Sequence, residues 1–394
     1  MQLYHHKLAW LLGCLWLCCS CIEDFNAELP STQTTYLVVE GSICGNSECE
    51  FILSRSLSLS YSSQEFLDRM ITNATVNVCS SDGSKQSVKH AGQGVYLVKL
   101  GTLDPSKEYW LEVEWEGNTF ASDPTLPIST PKVESVMFEQ PRPDQLVDIL
   151  ITPEGPSGNE TQYFLWSYKE DWEIRTPLKS DWDYDLANDC VIAAPYLTNQ
   201  GWCSDSRHTS IIGNNRDFVN GHIRNLKLYD AEHLDNRFNY LYRTTIRQRA
   251  ISHEEYEYQQ LSLRQSDEMG GLFTPQPSEL PTNIHCKDGA RKAIGYVGVN
   301  ANVAIAELYV RGDDVGYQLN RRAQEPSEDL LATSSNSDLY RQDFRIREYV
   351  PQINSITWIE RWAVDCTVWG AKLFARPEGW PNERTVIPSA KKDK

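Results

Sequence analysis

Alternating apolar and polar positions predict a series of short β-strands in the first part of the chain. The clearest is residues 109–115, where apolar side chains alternate with Glu112 and Glu114, as in a strand with one solvated face. Similar segments, separated by polar turns, are residues 36–41, 50–56, 74–79, 94–99 and 119–122. This spacing is typical of a β-sandwich and not of βαβ units.

Prolines mark the end of this region, and a second strand-rich region follows. Pro124, Pro127 and Pro131 predict a boundary near residue 131. Beyond it, residues 147–152, 162–168 and 238–251 have strand patterns. The sequence therefore predicts two β domains, at residues 36–131 and 132–394.

One helix is predicted in the second region, near residues 252–264. Ser252 and Glu255 have the spacing of a capping box, in which each side chain bonds the backbone N–H of the other residue. Ile251 and Tyr256 flank this box as a hydrophobic staple, and Gly270-Gly271 marks the expected stop.

The first twenty residues have the layout of a signal peptide. An apolar run at residues 8–19 follows Lys7 and ends at Ser20-Cys21. The run is shorter than the roughly 20 residues that a membrane-spanning helix needs, so we expect cleavage before Cys21 and acylation of that cysteine, for example with palmitate. The residues before Cys14 match the lipobox, the cleavage motif of lipoproteins, more closely than those before Cys21. Cleavage at Cys14, however, would leave a short apolar stretch before the cut and another after it.

The residues after Cys21 are acidic and then rich in Pro, Ser and Thr. Glu23 and Asp24 resemble the surface-export signal of Bacteroidetes lipoproteins, and the alternative interpretation is an ordinary solvated tether over residues 21–35. We expect a lipid-anchored protein of the outer membrane, exposed at the cell surface. The formal net charge of −17 makes nucleic acid an unsuitable partner, because phosphate binding requires a basic surface.

Seven cysteines follow Cys21, and in an exported protein they are disulfide candidates. The spacings predict three pairs: Cys44 with Cys49, Cys190 with Cys203, and Cys286 with Cys366. Cys79 would remain unpaired. None of the spacings is Cys-x-x-Cys, which disfavours zinc and thioredoxin-like chemistry.

An acidic and aromatic cluster at residues 181–185, Asp-Trp-Asp-Tyr-Asp, is the most suggestive candidate site. On a strand, alternation places three aspartates on one face and two aromatic rings on the other. Three interpretations are open: a solvated acidic loop, a Ca²⁺ site, or a sugar or peptide contact with Trp166 among the stacking platforms. The EF-hand pattern fails, because its required Gly and Glu positions are Leu186 and Ile192. The candidate ligand-binding residues are Trp172, Asp181, Trp182, Asp183, Tyr184, Asp185 and Trp202.

Catalytic motifs are absent from the sequence. It contains no Gly-x-Ser-x-Gly, no His-Glu-x-x-His and no P-loop. Histidines after residue 21 are scattered, with none paired at i, i+4, so no catalytic residue and no metal ligand is assigned. Arg311-Gly312-Asp313 matches an adhesion tripeptide and is expected to form a turn.

The order of several short motifs resembles the Bacteroidetes lipoproteins called domain of unknown function family 4249. The motifs are Val39-Glu40-Gly41, Leu53-Ser54-Arg55, Ala74-Thr75-Val76, Asp82-Gly83, Gly94-Val95-Tyr96, residues 109–113, Ile251-Ser252, Tyr256-Glu257-Tyr258, Gly270-Gly271-Leu272-Phe273, Pro277-Ser278, Asn283-Ile284 and Ile294-Gly295-Tyr296. The chain departs from the family in a longer acidic stretch at residues 188–225 and a long C-terminal segment. The resemblance implies an outer-membrane lipoprotein, often encoded beside a TonB-dependent receptor, without assigned catalytic residues.

Taken together, the sequence patterns predict an all-β fold class, with an N-terminal Ig-like or transthyretin-like β-sandwich followed by a β-rich domain with one short α-helix. The leading hypothesis for function is non-enzymatic binding of a nutrient ligand, or docking on a TonB-dependent receptor. The alternatives are a hydrolase acting on glycan or peptide, which would need a carboxylate pair in a cleft, and a structural or adhesion protein of the envelope.

Overall fold

The computed structural model describes residues 35–57, 63–156, 158, 160–268, 280–289, 291–318, 322–382, 387 and 389–392. The predicted signal peptide, the predicted acylation site Cys21, nearly all of the predicted tether and Gly270-Gly271 lie outside the described residues. None of the helices in the described ranges has the length and apolar character needed to cross a membrane.

The all-β prediction is confirmed. The strands are β1 Leu37–Cys44, β2 Glu48–Arg55, β3 Thr75–Ser80, β4 Lys85–Gly92, β5 Val95–Lys99, β6 Tyr109–Trp115, β7 Asn118–Ser122, β8 Val133–Glu139, β9 Val147–Pro153, β10 Tyr163–Arg175, β11 Trp182–Asp185, β12 Cys190–Ala193, β13 Gln200–Asn214, β14 Leu226–Ala231, β15 Leu241–Ile251, β16 Ile284–Cys286, β17 Ala293–Gly295, β18 Gly298–Asn300, β19 Ala304–Arg311, β20 Phe344–Val350 and β21 Ser355–Glu360. The helices are α1 Ser63–Leu67, α2 His253–Glu268, α3 Glu328–Thr333 and α4 Asn336–Arg341.

The first sandwich is built from β1 to β7. One layer has the strand order β17-β1-β2-β5-β4, and the other has the order β4-β3-β6-β7-β16, so β4 belongs to both. The side chains that face inward form one apolar core, in which Phe51, Leu111 and Phe120 are buried. The period-two pattern of the sequence therefore has a direct structural counterpart in this sandwich.

The chain returns to the first sandwich long after residue 131. β16 pairs antiparallel with β7, while β17 and β18 pair parallel with β1. At Gly295, where φ is +139°, a Cβ atom would lie 2.1 Å from the Val39 carbonyl oxygen, so the close approach of β17 requires glycine. Strand pairing in the first sandwich therefore crosses the boundary that the prolines predict.

The second sandwich has a three-stranded layer, β14-β9-β8, and a four-stranded layer, β13-β10-β15-β19. Seven strands in two such layers are the architecture of immunoglobulin-like sandwiches. Its core is aromatic and includes Phe164, Trp166, Phe238 and Tyr242. The indole N–H of Trp166 donates to Gln248 Oε1 at 2.9 Å, so its polar atom is satisfied inside the core.

Strand β10 extends beyond its predicted end at residue 168 and continues to Arg175. This second half contains Glu170, Asp171 and Glu173, all of which are buried. Glu170 accepts from Arg237 at 2.7 Å, and Asp171 forms an ion pair with Arg243 at 2.7 Å. The prediction stopped too early because these paired carboxylates have the sequence pattern of a solvated loop.

A small additional unit combines the hairpins β11–β12 and β20–β21 with α3 and α4. Tyr184, Leu339, Ile346 and Trp358 form its core. The prediction of a single helix in the second region is therefore wrong, since the described residues of that region contain α2, α3 and α4. The two additional helices have six residues each, which is too short for a helical apolar period to be visible in the sequence.

Candidate ligand-binding site

The three aspartates of the predicted cluster do not converge. Asp181 forms an ion pair with Lys179 at 2.7 Å, and Asp185 accepts from the backbone N–H of Ala187 at 2.9 Å. Asp183 accepts from the backbone N–H of Tyr184 at 2.8 Å. Across the described residues, no group of three His, Cys, Asp or Glu side chains is placed to hold a metal ion, so the three aspartates do not form the joint Ca²⁺ site that one interpretation predicts.

The aromatic residues of the same prediction serve packing. Trp182 meets Tyr349 edge-on, with ring centroids 5.2 Å apart, and Tyr184 is buried in the core of the small unit. Burial, with the hydrogen bond to Asp189, raises the pKa of Tyr184 to about 12. Trp172 and Trp202 lie elsewhere, on β10 and β13, and Trp202 is buried. The predicted ligand-binding set is therefore not one site, because a small unit needs these large rings for its own core.

The structure brings one of the three predicted cysteine pairs together. All seven described cysteines are free thiols. Cys203 lies in a buried cluster with Cys366, whereas its predicted partner Cys190 is exposed on β12. Cys286, the predicted partner of Cys366, lies on β16 in the first sandwich. The return of the chain and the insertion of β11–β12 separate residues whose sequence spacing looked suitable.

Cys44 and Cys49 are neighbours at the turn between β1 and β2. The backbone N–H of Cys44 donates to Cys49 Sγ at 3.2 Å, and both residues are buried. The hydrogen bond with Cys49 and the positive charge of Arg249 outweigh the effect of burial and lower the pKa of Cys44 to about 6. Of the three predicted pairs, this is the one whose cysteines are neighbours, and its disulfide stays a prediction because both are free thiols in this structure.

A cleft of about 860 Å³ separates the outer faces of the two sandwiches. We call it the inter-sandwich cleft. Its first wall is formed by outward-facing side chains of β1 and β2: Val38, Glu40, Ser42, Glu48, Glu50 and Ile52. Its second wall is formed by side chains of β10, β13 and β15: Leu165, Ser167, Ser210, Arg247 and Arg249. Helix α2 closes one side with Tyr258 and Gln259.

A buried polar junction holds the two sandwiches together beside this cleft. Arg249 donates to Glu255 Oε1 and to Asn300 Oδ1, each at 2.8 Å, and thereby links β15, α2 and β18. Asn300 also donates to the Ala250 carbonyl at 2.6 Å. A Cβ atom at position 298 would lie 2.1 Å from Glu255 Oε2, so Gly298 makes room for this carboxylate.

The junction changes the predicted helix cap. The Ser252 hydroxyl does accept from the backbone N–H of Glu255 at 3.1 Å. The Glu255 carboxylate, however, bonds Arg249 and does not complete the capping box. Burial lowers the pKa of Arg249, but the charge of Glu255 outweighs it and the pKa is raised. The ion pair therefore fixes α2 at the edge of the cleft.

The charges that face the cleft are divided between its walls. In the described part of the chain, Glu40, Glu48 and Glu50 have no lysine, arginine or histidine nitrogen within 4.0 Å. Arg247 on the opposite wall is exposed and donates to the neutral hydroxyl of Ser47 at 3.2 Å. Burial, with the charge of Glu40, raises the pKa of Tyr258 to about 12, so its phenol is a neutral donor at physiological pH. One wall is acidic and the other carries a cation.

A second cavity, of about 500 Å³, lies at the end of the second sandwich. Its lining includes Arg175 and Arg311, but Arg175 pairs with Glu173 at 2.5 Å and Arg311 makes two contacts of 3.1 Å with Asp314. The tripeptide that begins at Arg311 enters a short 3-10 helix here, as expected for a turn. The charges of Arg175 and Arg311 are therefore already compensated, although Arg376 and Asp313 also line this cavity. We take the inter-sandwich cleft as the stronger candidate site, because it is larger and carries opposite charges on facing walls.

No pattern in the sequence pointed to the residues of the cleft. Glu40, Glu50 and Arg247 occupy outward positions of amphipathic strands, where charged residues are the usual solvated choice. They become a site only because β16, β17 and β18 hold the first sandwich against the second. A long-range pairing of this kind leaves no local motif.

The chain thus forms two β-sandwiches with a ligand-sized space between them. Residues 22–304 match the family described as "Domain of unknown function (DUF4249)", and the chain belongs to this family. The matched part includes every residue named above for the cleft, whereas α3, α4, β20 and β21 follow it. No curated protein matches the chain.

Proposed function

We propose that the protein is a lipid-anchored binding protein of the bacterial outer-membrane surface, which captures a nutrient ligand in the inter-sandwich cleft and delivers it to a TonB-dependent receptor. The observation that supports this most is the cleft itself, with opposite charges on facing walls. Its volume of about 860 Å³ lies within the range of roughly 300 to 1,000 Å³ that is usual for small-ligand sites.

The division of charge favours binding over a purely structural role. Like charges on one sheet face repel each other, and an opposite charge nearby relieves that repulsion. Glu40 and Glu50 lie on one face without a cation in the described residues, while Arg247 has a neutral partner. A ligand that carries the complementary charges would stabilise both walls at once.

The proposed location is supported by the sequence before the first sandwich. An apolar leader, Ser20-Cys21 and the acidic pair Glu23 and Asp24 are the features of a surface lipoprotein.

The test combines location and partner in one experiment. Native cells expressing wild-type protein, Cys21→Ser or Cys14→Ser are treated with protease, and the membranes are then used for co-purification. We expect acylation, surface cleavage and recovery of an outer-membrane receptor with the wild type and with Cys14→Ser, but not with Cys21→Ser. An unmodified thiol at Cys21, or purification of the acylated protein without any receptor, would contradict the proposal.

A further inference from the structure

We infer that the ligand of the inter-sandwich cleft is a short peptide of net positive charge, whose ammonium groups lie against Glu40 and Glu50 and whose carboxyl terminus lies against Arg247. This inference rests on the proposed function and names its ligand class.

The acidic wall would bind the cationic groups. In the β1–β2 register Glu40 lies opposite Ile52, and in the β2–β5 register Glu50 lies opposite Leu97, so both carboxylates have apolar cross-strand neighbours. Glu48 lies opposite Lys99, which does not line the cleft. Glu40 and Glu50 are therefore the two carboxylates that a bound ammonium group would neutralise.

The opposite wall would bind the peptide's carboxyl end. Arg247 is exposed, and its guanidinium can form two parallel hydrogen bonds to a carboxylate. Its neighbour Arg249 is not available in this way, because Glu255 and Asn300 already occupy its guanidinium. With Glu40 and Glu50 facing the single exposed arginine Arg247, the favoured ligand carries more positive than negative charge.

The neutral groups of the cleft suit a polypeptide backbone. Ser167 and Ser210 can donate and accept, and the Tyr258 phenol is protonated because of its raised pKa of about 12. An anionic ligand would be repelled by the acidic wall. A neutral sugar would leave the charges of both walls without partners, and the Tyr258 ring already packs against Tyr296, with centroids 5.8 Å apart.

Calorimetry on the purified, acylated protein in detergent can test this assignment. The probes are Lys-Gly-Lys, its C-terminal amide, Glu-Gly-Glu and maltose. The variants are the double change Glu40→Gln/Glu50→Gln, the single change Arg247→Gln and a control, Glu108→Gln/Glu114→Gln, which alters two exposed glutamates outside the cleft. Thermal unfolding confirms that each variant is folded.

We expect Lys-Gly-Lys to bind and Glu-Gly-Glu to fail. The Glu40→Gln/Glu50→Gln variant should bind Lys-Gly-Lys roughly tenfold or more weakly, as expected for loss of charge-assisted hydrogen bonds. The variant Arg247→Gln should weaken binding of the free acid and leave the C-terminal amide unchanged. The control should bind as the wild type does.

Three results would overturn the inference: equal binding of Lys-Gly-Lys and Glu-Gly-Glu, binding of maltose alone, or affinities that the cleft variants do not change. Surface exposure and receptor recovery would then still support the proposed function with another ligand class. Conversely, if Cys21 proved not to be acylated but the protein still bound the cationic peptide, the inference about the ligand would stand and the proposed location would be wrong.

Discussion

The two sandwiches of this chain share an architecture but bury different chemistry. The first has a core of apolar side chains such as Phe51 and Phe120, and it buries one carboxylate, Glu112 on β6, which pairs with the exposed Lys85 and Lys287. The second adds three buried carboxylates on one strand, β10, and holds two of them with Arg237 and Arg243. Both partners of the Asp171–Arg243 pair are buried, whereas the lysines that pair with Glu112 are exposed. Stability of the first sandwich should therefore depend mainly on packing, while stability of the second should depend more strongly on charge pairing.

Removing one partner of the buried pair in the second sandwich should have the largest effect. The change Arg243→Ala leaves the Asp171 carboxylate, which is fully buried, without its guanidinium. We expect the free energy of unfolding to fall by about 3–5 kcal/mol, measured by urea denaturation. Arg311→Ala, which breaks a more exposed pair with Asp314, should cost about 0–1 kcal/mol. If the two variants lost similar amounts of unfolding free energy, the buried ion pair would contribute no more to stability than an exposed one.

A packing change in the first sandwich is the matched experiment. The change Leu111→Ala removes a buried side chain of β6 and should lower the free energy of unfolding by about 2–5 kcal/mol. This loss should be the same at pH 7 and pH 4, because no ionisable group is changed. The exposed Leu126 provides the control, and Leu126→Ala should have little effect. A loss that varied with pH would contradict the proposed difference between the sandwiches.

Acid should affect the second sandwich through Asp171. Burial raises the pKa of Asp171, but hydrogen bonds from Ser204 and Arg243 outweigh it, so the native pKa lies below its ordinary value. The stabilisation is therefore complete above the unfolded pKa of about 3.9 and is lost as the pH falls through the native value. In urea titrations, the variant Asp171→Asn/Arg243→Met should show a shallower loss of stability below pH 4, by at most about 1.4 kcal/mol per pH unit. An unchanged slope would exclude Asp171 as its source.

The smallest expected effect concerns the helix between the sandwiches. Ser252→Ala removes the cap of α2 and should lower the free energy of unfolding by about 0.5–2 kcal/mol. Ser252→Thr retains a hydroxyl acceptor and should restore most of the loss. If alanine and threonine behaved alike, the hydroxyl would not act as a cap.

The same contrast explains how much of the fold the sequence could predict. In the first sandwich, the alternating pattern predicted β6 at its observed bounds and β3 and β7 within one residue. It missed β4, whose residues are mostly polar and exposed. In the second sandwich, residues 169–175 of β10 were not predicted as strand, because a local pattern cannot show that a carboxylate has a distant arginine partner.

The candidate site could not be predicted for a related reason. The acidic and aromatic cluster near Asp183 was locally conspicuous, and the structure uses it for turns and packing. The inter-sandwich cleft depends on pairing between segments separated by about 250 residues in the chain, such as β1 with β17. Only the assembled fold brings its two walls together.

The late return of β16, β17 and β18 also sets the order in which the protein can form. Because β1 and β7 receive these neighbours from residues 284–300, the N-terminal sandwich stays unfinished until most of the polypeptide has been synthesised. Until then both strands expose unpaired backbone groups, which are templates for aggregation. These two edges therefore need protection while the chain folds, and a fragment that stops at the proline-rich boundary would be prone to self-association.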